Sequence, residues 1–87
     1  MPLYMDVHSQ LYGATADAIA KAHQRDREVQ EKHGVRYLRY WLNEEWGRLF
    51  CLLEAPSKEA ATSVHAEAHG LVANEIWEVT PGGDSER

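Results

Sequence analysis

Cysteine occurs once, as Cys51, so the chain cannot close an internal disulfide, and a reducing cytoplasm is the expected setting. Long apolar runs are missing as well. No stretch approaches the roughly 20 residues that cross a bilayer, and the first residues carry no basic stretch, apolar run or cleavage site, so neither a membrane nor a secretion signal is expected. Basic charge is scarce: nine Lys and Arg stand against fourteen Asp and Glu, for a formal net charge of −5. Phosphate backbones need a basic stripe, and nucleic acid is therefore excluded as an expected partner. With 87 residues there is room for one domain, near the lower limit of what folds without staples. What the chain does have in quantity is histidine, five in all.

The element pattern is readable from periodicity. "LYMDVH" (3 to 8) alternates Leu3, Met5 and Val7 against Tyr4, Asp6 and His8, which predicts a strand. "SQLYGA" is a loop, and Thr15 is a plausible N-cap with Asp17 in the first turn, where the helix dipole favours an anion. That helix should run to about Lys32 and stop at Gly34. "VRYLRYWL" (35 to 42) and "RLFCLLE" (48 to 54) read as strands of a hairpin turned at "NEEWG", where Gly47 suits a positive φ. Pro56 and Ser57 open a second helix, with Glu59 in its first turn, that ends near His69 and Gly70. "EIWEV" (75 to 79) is a last strand. Residues 1 to 80 make the single domain, and "PGGDSER" (81 to 87) is a polar tail expected to be disordered.

The order β-α-β-β-α-β is the split βαβ arrangement. It predicts an α+β sandwich: a four-stranded antiparallel sheet with two helices on one face. Right-handed crossovers are further expected to make the first and third strands parallel central neighbours. The sheet's other face would carry some of Tyr4, Tyr37, Trp41, Phe50 and Trp77, too many rings to leave in water, so a homodimer through that face is expected.

The polar groups raise the functional question. "VHAEAHG" (64 to 70) places His65 and His69 four residues apart, one turn along one helix face. They flank an apolar arc of Ala60, Ala61, Val64, Ala68 and Leu71. In the first helix the sheet-facing arc of Ala16, Ile19, Ala22 and Val29 also holds His23, Asp26, Gln30 and His33, too many polar groups for a core stripe without partners. Thr15-x-Asp17-Ala18 is echoed by Ser57-x-Glu59-Ala60, and the same offset carries His23 onto His65. Both helices are expected to lie side by side and start at the same edge of the sheet, so these two histidines should lie at about the same depth. His8 and Glu54 end the two central strands and should meet there, with Asp6 on the face of His8. Imidazole with carboxylate suits nickel, zinc, copper or iron, and a set without thiolate disfavours a structural zinc site. The histidine pair lacks the Glu of H-E-x-x-H, so a zincin protease is not indicated. Against this stands a plainer reading, because a His-x-x-x-His pair is more often a solvated helix edge, and Cys51 between Phe50 and Leu52 reads as a small core residue.

"MDVH", "GAT", "AHQRD", "GVRYLRYW", "FCLLEAP" and "VHAEAHG" together resemble, in order and spacing across residues 1 to 80, a family of small bacterial ferredoxin-like proteins with a described nickel-binding member. The resemblance implies a ferredoxin-like dimer that binds nickel or a similar divalent ion. It matches the family's motif histidines to His8, His23, His65 and His69, and its acid after the third strand to Glu54. The leading expectation is thus a non-catalytic cytoplasmic protein that binds or buffers a divalent transition metal ion, with His65 and His69 as the core pair and His23, His8, Asp26, Glu54 and Asp6 as further candidates. Two rivals stay open. One is a small dimeric α+β-barrel enzyme, monooxygenase- or isomerase-like, with a pocket on the sheet face and His8 and Tyr37 as acid-base groups. The other is an interaction module in which the histidines do nothing specific.

Overall fold

In the computed structural model, residues 1–83 are described. The expected tail falls mostly on residues 84–87, which lie outside the described residues, and 81–83 are exposed and carry no regular structure. The elements follow in the expected order: β1 (Leu3–His8), α1 (Ala16–Val29), continued by a 3-10 turn (Gln30–His33), then β2 (Arg36–Asn43), β3 (Arg48–Glu54), α2 (Lys58–Ala68) and β4 (Glu75–Glu78). The caps set the helix starts. The Thr15 and Ser57 side chains accept from the Ala18 and Ala60 amides, 3.2 and 3.1 Å away, satisfying donors that helix geometry leaves without partners. Gly34, at φ 70°, stops the 3-10 turn.

The strand order is β2-β3-β1-β4, and every neighbouring pair is antiparallel. This is the ferredoxin-like arrangement, and it corrects the parallel sense expected for the central pair. Leu3 faces Glu54 and His8 faces Leu49 across β1 and β3. The reason is topological. The hairpin reverses the chain after β2, and β3 then fills the slot between β1 and β2, so it runs against both. Two expectations fall with the parallel pair. His8 and Glu54 end up at opposite ends of the sheet, and the two helices leave the sheet from opposite edges, which removes the premise that put His23 level with His65.

The layers explain where polar atoms are buried. The helix-facing row takes Tyr4, Asp6 and His8 from β1, Leu49, Cys51 and Leu53 from β3, and Tyr37 from β2, all buried. Ile19, Val35, Ala55, Ala61 and Val64 close the core above them. Leu3, Met5, Val7, Phe50 and Leu52 are half-buried on the opposite face, where Trp41 is 44% and Trp77 60% exposed. Of the five rings from which that bare face was expected to draw some, Tyr4 and Tyr37 face the helices. For Tyr37 the cause is an irregularity in β2: the register slips between Tyr37 and Arg39, and the extra residue, Leu38, shifts the alternation so that Tyr37 and Trp41 point to opposite faces. In β1 the alternation is regular but inverted, with the apolar residues facing outward and Asp6 and His8 facing the core. Buried polar groups of this kind require partners.

One glycine holds the wall of the interior in place. Gly47 has φ 64°, and a Cβ there would sit 2.9 Å from the Leu11 carbonyl carbon and the Tyr12 nitrogen. Its carbonyl accepts from the Leu11 amide at 2.8 Å. The hairpin turn thereby fastens the loop after β1, whose Leu11 lines the cavity described next.

Candidate metal centre

His65 is the hub. It sits on the sheet-facing side of α2 with 1% of its surface exposed, not at the edge of the apolar arc. Its ring lies between two carboxylates: Nδ1 is 2.9 Å from Asp26 Oδ1, and Nε2 is 2.8 Å from Asp6 Oδ2. The Tyr37 hydroxyl lies 3.0 Å from Nε2 and also reaches Asp6 Oδ2 at 3.3 Å and the Ala61 carbonyl at 3.4 Å. Burial opposes a charge on His65, but the hydrogen bonds to Asp26 and Asp6 and the charges behind them outweigh it and push its pKa up to about 9. Burial would raise the Asp6 carboxyl, yet the hydrogen bond from His65 and the nearness of His8 bring it down to about 2. Asp26 is lowered in the same way by His65 and His69 against the effect of burial. At neutral pH the interior thus holds an imidazolium between two carboxylates, a compensated buried charge set.

Among the described residues, two buried atoms of this set, Asp6 Oδ1 and His8 Nε2, make no hydrogen bond of good geometry, and their one polar contact is each other, at 3.4 Å. A buried polar atom left without a hydrogen bond costs on the order of 1–3 kcal/mol. Cys51 Sγ completes the neighbourhood: one ligand atom each from Asp6, His8, Cys51 and His65 lies within 4.8 Å of the others, and all four residues are buried. The oxygen, nitrogen and sulfur donors are of the kinds that hold borderline divalent ions, and a positive charge between the two unpartnered atoms would satisfy both. The residues fit a transition metal. Burial and the charge of Asp6 raise the Cys51 thiol, so it is protonated until a cation offsets them.

A second group overlaps the first. Asp26, His65 and His69 bring their ligand atoms equally close together, with His69 Nε2 3.0 Å from Asp26 Oδ1. His69 caps the end of α2, and its Nδ1 accepts from the Leu71 amide at 3.0 Å. Between sheet and helices, beside both groups, lies a cavity of about 20 Å³ walled in part by His8, His23, Cys51, His65 and His69. That is room for a single water-sized occupant.

Among the candidates from the sequence, the structure brings Asp6, His8, Asp26, His65 and His69 together. His23 only lines the cavity, with its ring 4.9 Å from that of Tyr40, and burial lowers its pKa against the pull of Asp26. Glu54 is not in the group: it lies at the far end of the sheet, 3.8 Å from Arg36 Nη1. His33 pairs with Glu67 at 2.9 Å, and Gln30 accepts from the Tyr37 amide at 2.9 Å, which accounts for part of the polar stripe of α1. Sequence reasoning missed Cys51 and the contact of Tyr37 with His65. The signal for Cys51 was present, because it alternates in phase with the buried Leu49 and Leu53.

The family described as "Nickel responsive protein SCO4226-like" matches residues 4–79. The chain is also similar to the crystal structure of SCO4226 from Streptomyces coelicolor A3(2), with 38% sequence identity and a TM-score of 0.87 over 93% of this chain and 99% of that one. No curated protein matches.

Proposed function

The chain belongs to the SCO4226-like nickel responsive protein family, and from that premise we propose that it binds a divalent transition metal ion, nickel foremost, as a small non-catalytic binding or buffering protein. The ion is held by Asp6, His8 and His65 with Cys51 beside them. The observation that carries this reading is the pair of unpartnered buried atoms, Asp6 Oδ1 and His8 Nε2, aimed at each other within a four-residue donor set. A cation there converts two unsatisfied groups into ligands and lets Cys51 act as a thiolate. Binding is the whole of the chemistry proposed, with the ion as cargo. The cavity beside the cluster, about 20 Å³, admits an ion or a water.

The proposed setting is the cytoplasm, where the lone thiol stays reduced. Among the described residues no helix is long and apolar enough to cross a membrane. The proposed assembly is a homodimer through the bare sheet face, where Met5, Val7, Phe50, Leu52, Trp41 and Trp77 lie together with Arg39 and Glu75; a face this rich in apolar groups favours a partner. Elemental analysis of untagged protein and calorimetric titration with Ni²⁺, Zn²⁺, Co²⁺ and Cu²⁺ test the binding claim. Wild type should bind, and His8→Ala should lose most of its affinity while still folding. Equal affinity in the two proteins would reject the cluster.

A further inference from the structure

His65 belongs to both overlapping groups, and its ring can serve only one of them as a ligand. A neutral imidazole keeps one proton and offers one lone pair. If the proton stays on Nδ1, it is donated to Asp26, and Nε2 faces Asp6, His8 and Cys51. If it stays on Nε2, it is donated to Asp6, and Nδ1 faces Asp26 and His69. The neighbours decide between the two. On the Asp26 side, His69 Nδ1 already accepts the Leu71 amide. The proton of neutral His69 is therefore on Nε2, donated to Asp26 Oδ1 at 3.0 Å, and no imidazole lone pair from His69 is free there. On the Asp6 side, among the described residues, His8 Nε2 and Asp6 Oδ1 make no hydrogen bond of good geometry and lie 3.4 Å from each other. Once an ion holds the Nε2 lone pair of His65, the Tyr37 hydroxyl, 3.3 Å from Asp6 Oδ2, is free to donate to that carboxylate and keep it oriented.

We infer that Asp26 is a positioning residue and not a ligand: it holds the proton of His65 on Nδ1, aims the Nε2 lone pair at Asp6, His8 and Cys51, and with His69 forms the outer support of the metal site. The inference rests on the binding reading above and narrows it. It assigns His65, the residue common to both groups, to one side, and it removes His69 from the ligand set. Carboxylates behind metal-bound imidazoles act in this way, fixing the tautomer and raising ligand basicity.

The test uses the full chain as wild type, Asp26→Asn and Asp26→Ala. Ni²⁺ affinity is measured by calorimetry, ligand number and type by the Co²⁺ absorption spectrum, and the His65 tautomer by ¹⁵N imidazole NMR of the Zn²⁺-loaded protein. Asp26→Ala should bind roughly 10–100-fold more weakly, the range seen when such outer partners are removed, with stoichiometry and Co²⁺ spectrum unchanged. Asp26→Asn should recover much of that loss, because its carbonyl oxygen still accepts from Nδ1. In the loaded wild type, His65 should be protonated on Nδ1 and metal-bound through Nε2. This last reading needs no variant, so a poorly folded Asp26→Ala leaves the inference open to refutation. Unchanged affinity in Asp26→Ala, a Co²⁺ spectrum that loses an oxygen ligand, or metal on His65 Nδ1 would each overturn the assignment while leaving metal binding intact. A wild type that binds none of the three ions would overturn both readings.

Discussion

Loading the site with nickel should expel the proton that His65 holds between its two carboxylates. With a pKa pushed up to about 9, His65 is roughly 97% protonated at about pH 7.5. An ion that takes its Nε2 must displace that proton against a gap of about 1.5 pH units. This is on the order of 2 kcal/mol, or about thirty-fold in affinity, relative to a solution above the pKa. Between about pH 6.5 and 9, the logarithm of the binding constant should therefore rise by about one unit per pH unit from His65 alone. If Cys51 also binds as a thiolate, its raised pKa adds a second proton and the slope approaches two. Calorimetric titration of Ni²⁺ in two buffers of different ionisation heat reads the number directly, and repeats at about pH 6.5, 7.5 and 8.5 give the slope. His65 alone should release close to one proton per ion at about pH 6.5 and 7.5, and about three-quarters of one at about pH 8.5. An affinity that stays flat from about pH 6.5 to 8.5, with no proton released, would show that the ion does not bind through His65.

Stability of the metal-free chain should follow the same two groups. The contribution of His65 is complete below its unfolded value of 6.5 and fades as pH rises through about 9, whereas that of Asp6 is complete above 3.8 and fades as pH falls through about 2. Thermal melts in chelator should peak between those limits, and a Tm unchanged from about pH 6.5 to 9.5 would contradict the buried ion pair. Cys51→Ala should abolish the thiolate-to-metal charge-transfer band and weaken Ni²⁺ binding, with a loss of about 1 kcal/mol or less in apo stability; a band that persists would take sulfur out of the set. Trp41→Glu places a charge on the bare face and should split the dimer in sedimentation, and a wild-type chain that sediments as a monomer at micromolar concentration would reject the interface. Gly47→Ala combines a strained φ with a 2.9 Å approach to Leu11 and Tyr12, and should lower stability by about 1–3 kcal/mol in denaturant unfolding.

Element order and caps are legible in this sequence because each is a local signal: Thr15 and Ser57 before periodic helices, Gly34 and Gly70 after them, and alternation in the strands. The sense of the central pair is not local. It depends on which slot β3 fills after the hairpin, and a wrong sense moved Glu54 to the wrong end of the sheet. The irregularity at Leu38 leaves no trace in composition, so the partner face of Tyr37 could not be read. Asp6, His8, Asp26 and His65 could be named as candidates from their residue types and spacing, but not their inward placement, since the alternation of β1 is inverted and His65 lies on the sheet-facing side of α2. Cys51 was harder to place because its apolar neighbours make a buried thiol look like ordinary core.

The central claim is that one ion sits among Asp6, His8, Cys51 and His65. Anomalous diffraction at the nickel edge from crystals grown with one equivalent of Ni²⁺ locates it without spectroscopic inference. The account predicts a single strong peak per chain within coordination distance of His8 Nε2, Asp6 Oδ1 and His65 Nε2. A peak on His69 and Asp26 that leaves Asp6 and His8 unbound, or one at surface residues alone, would contradict it.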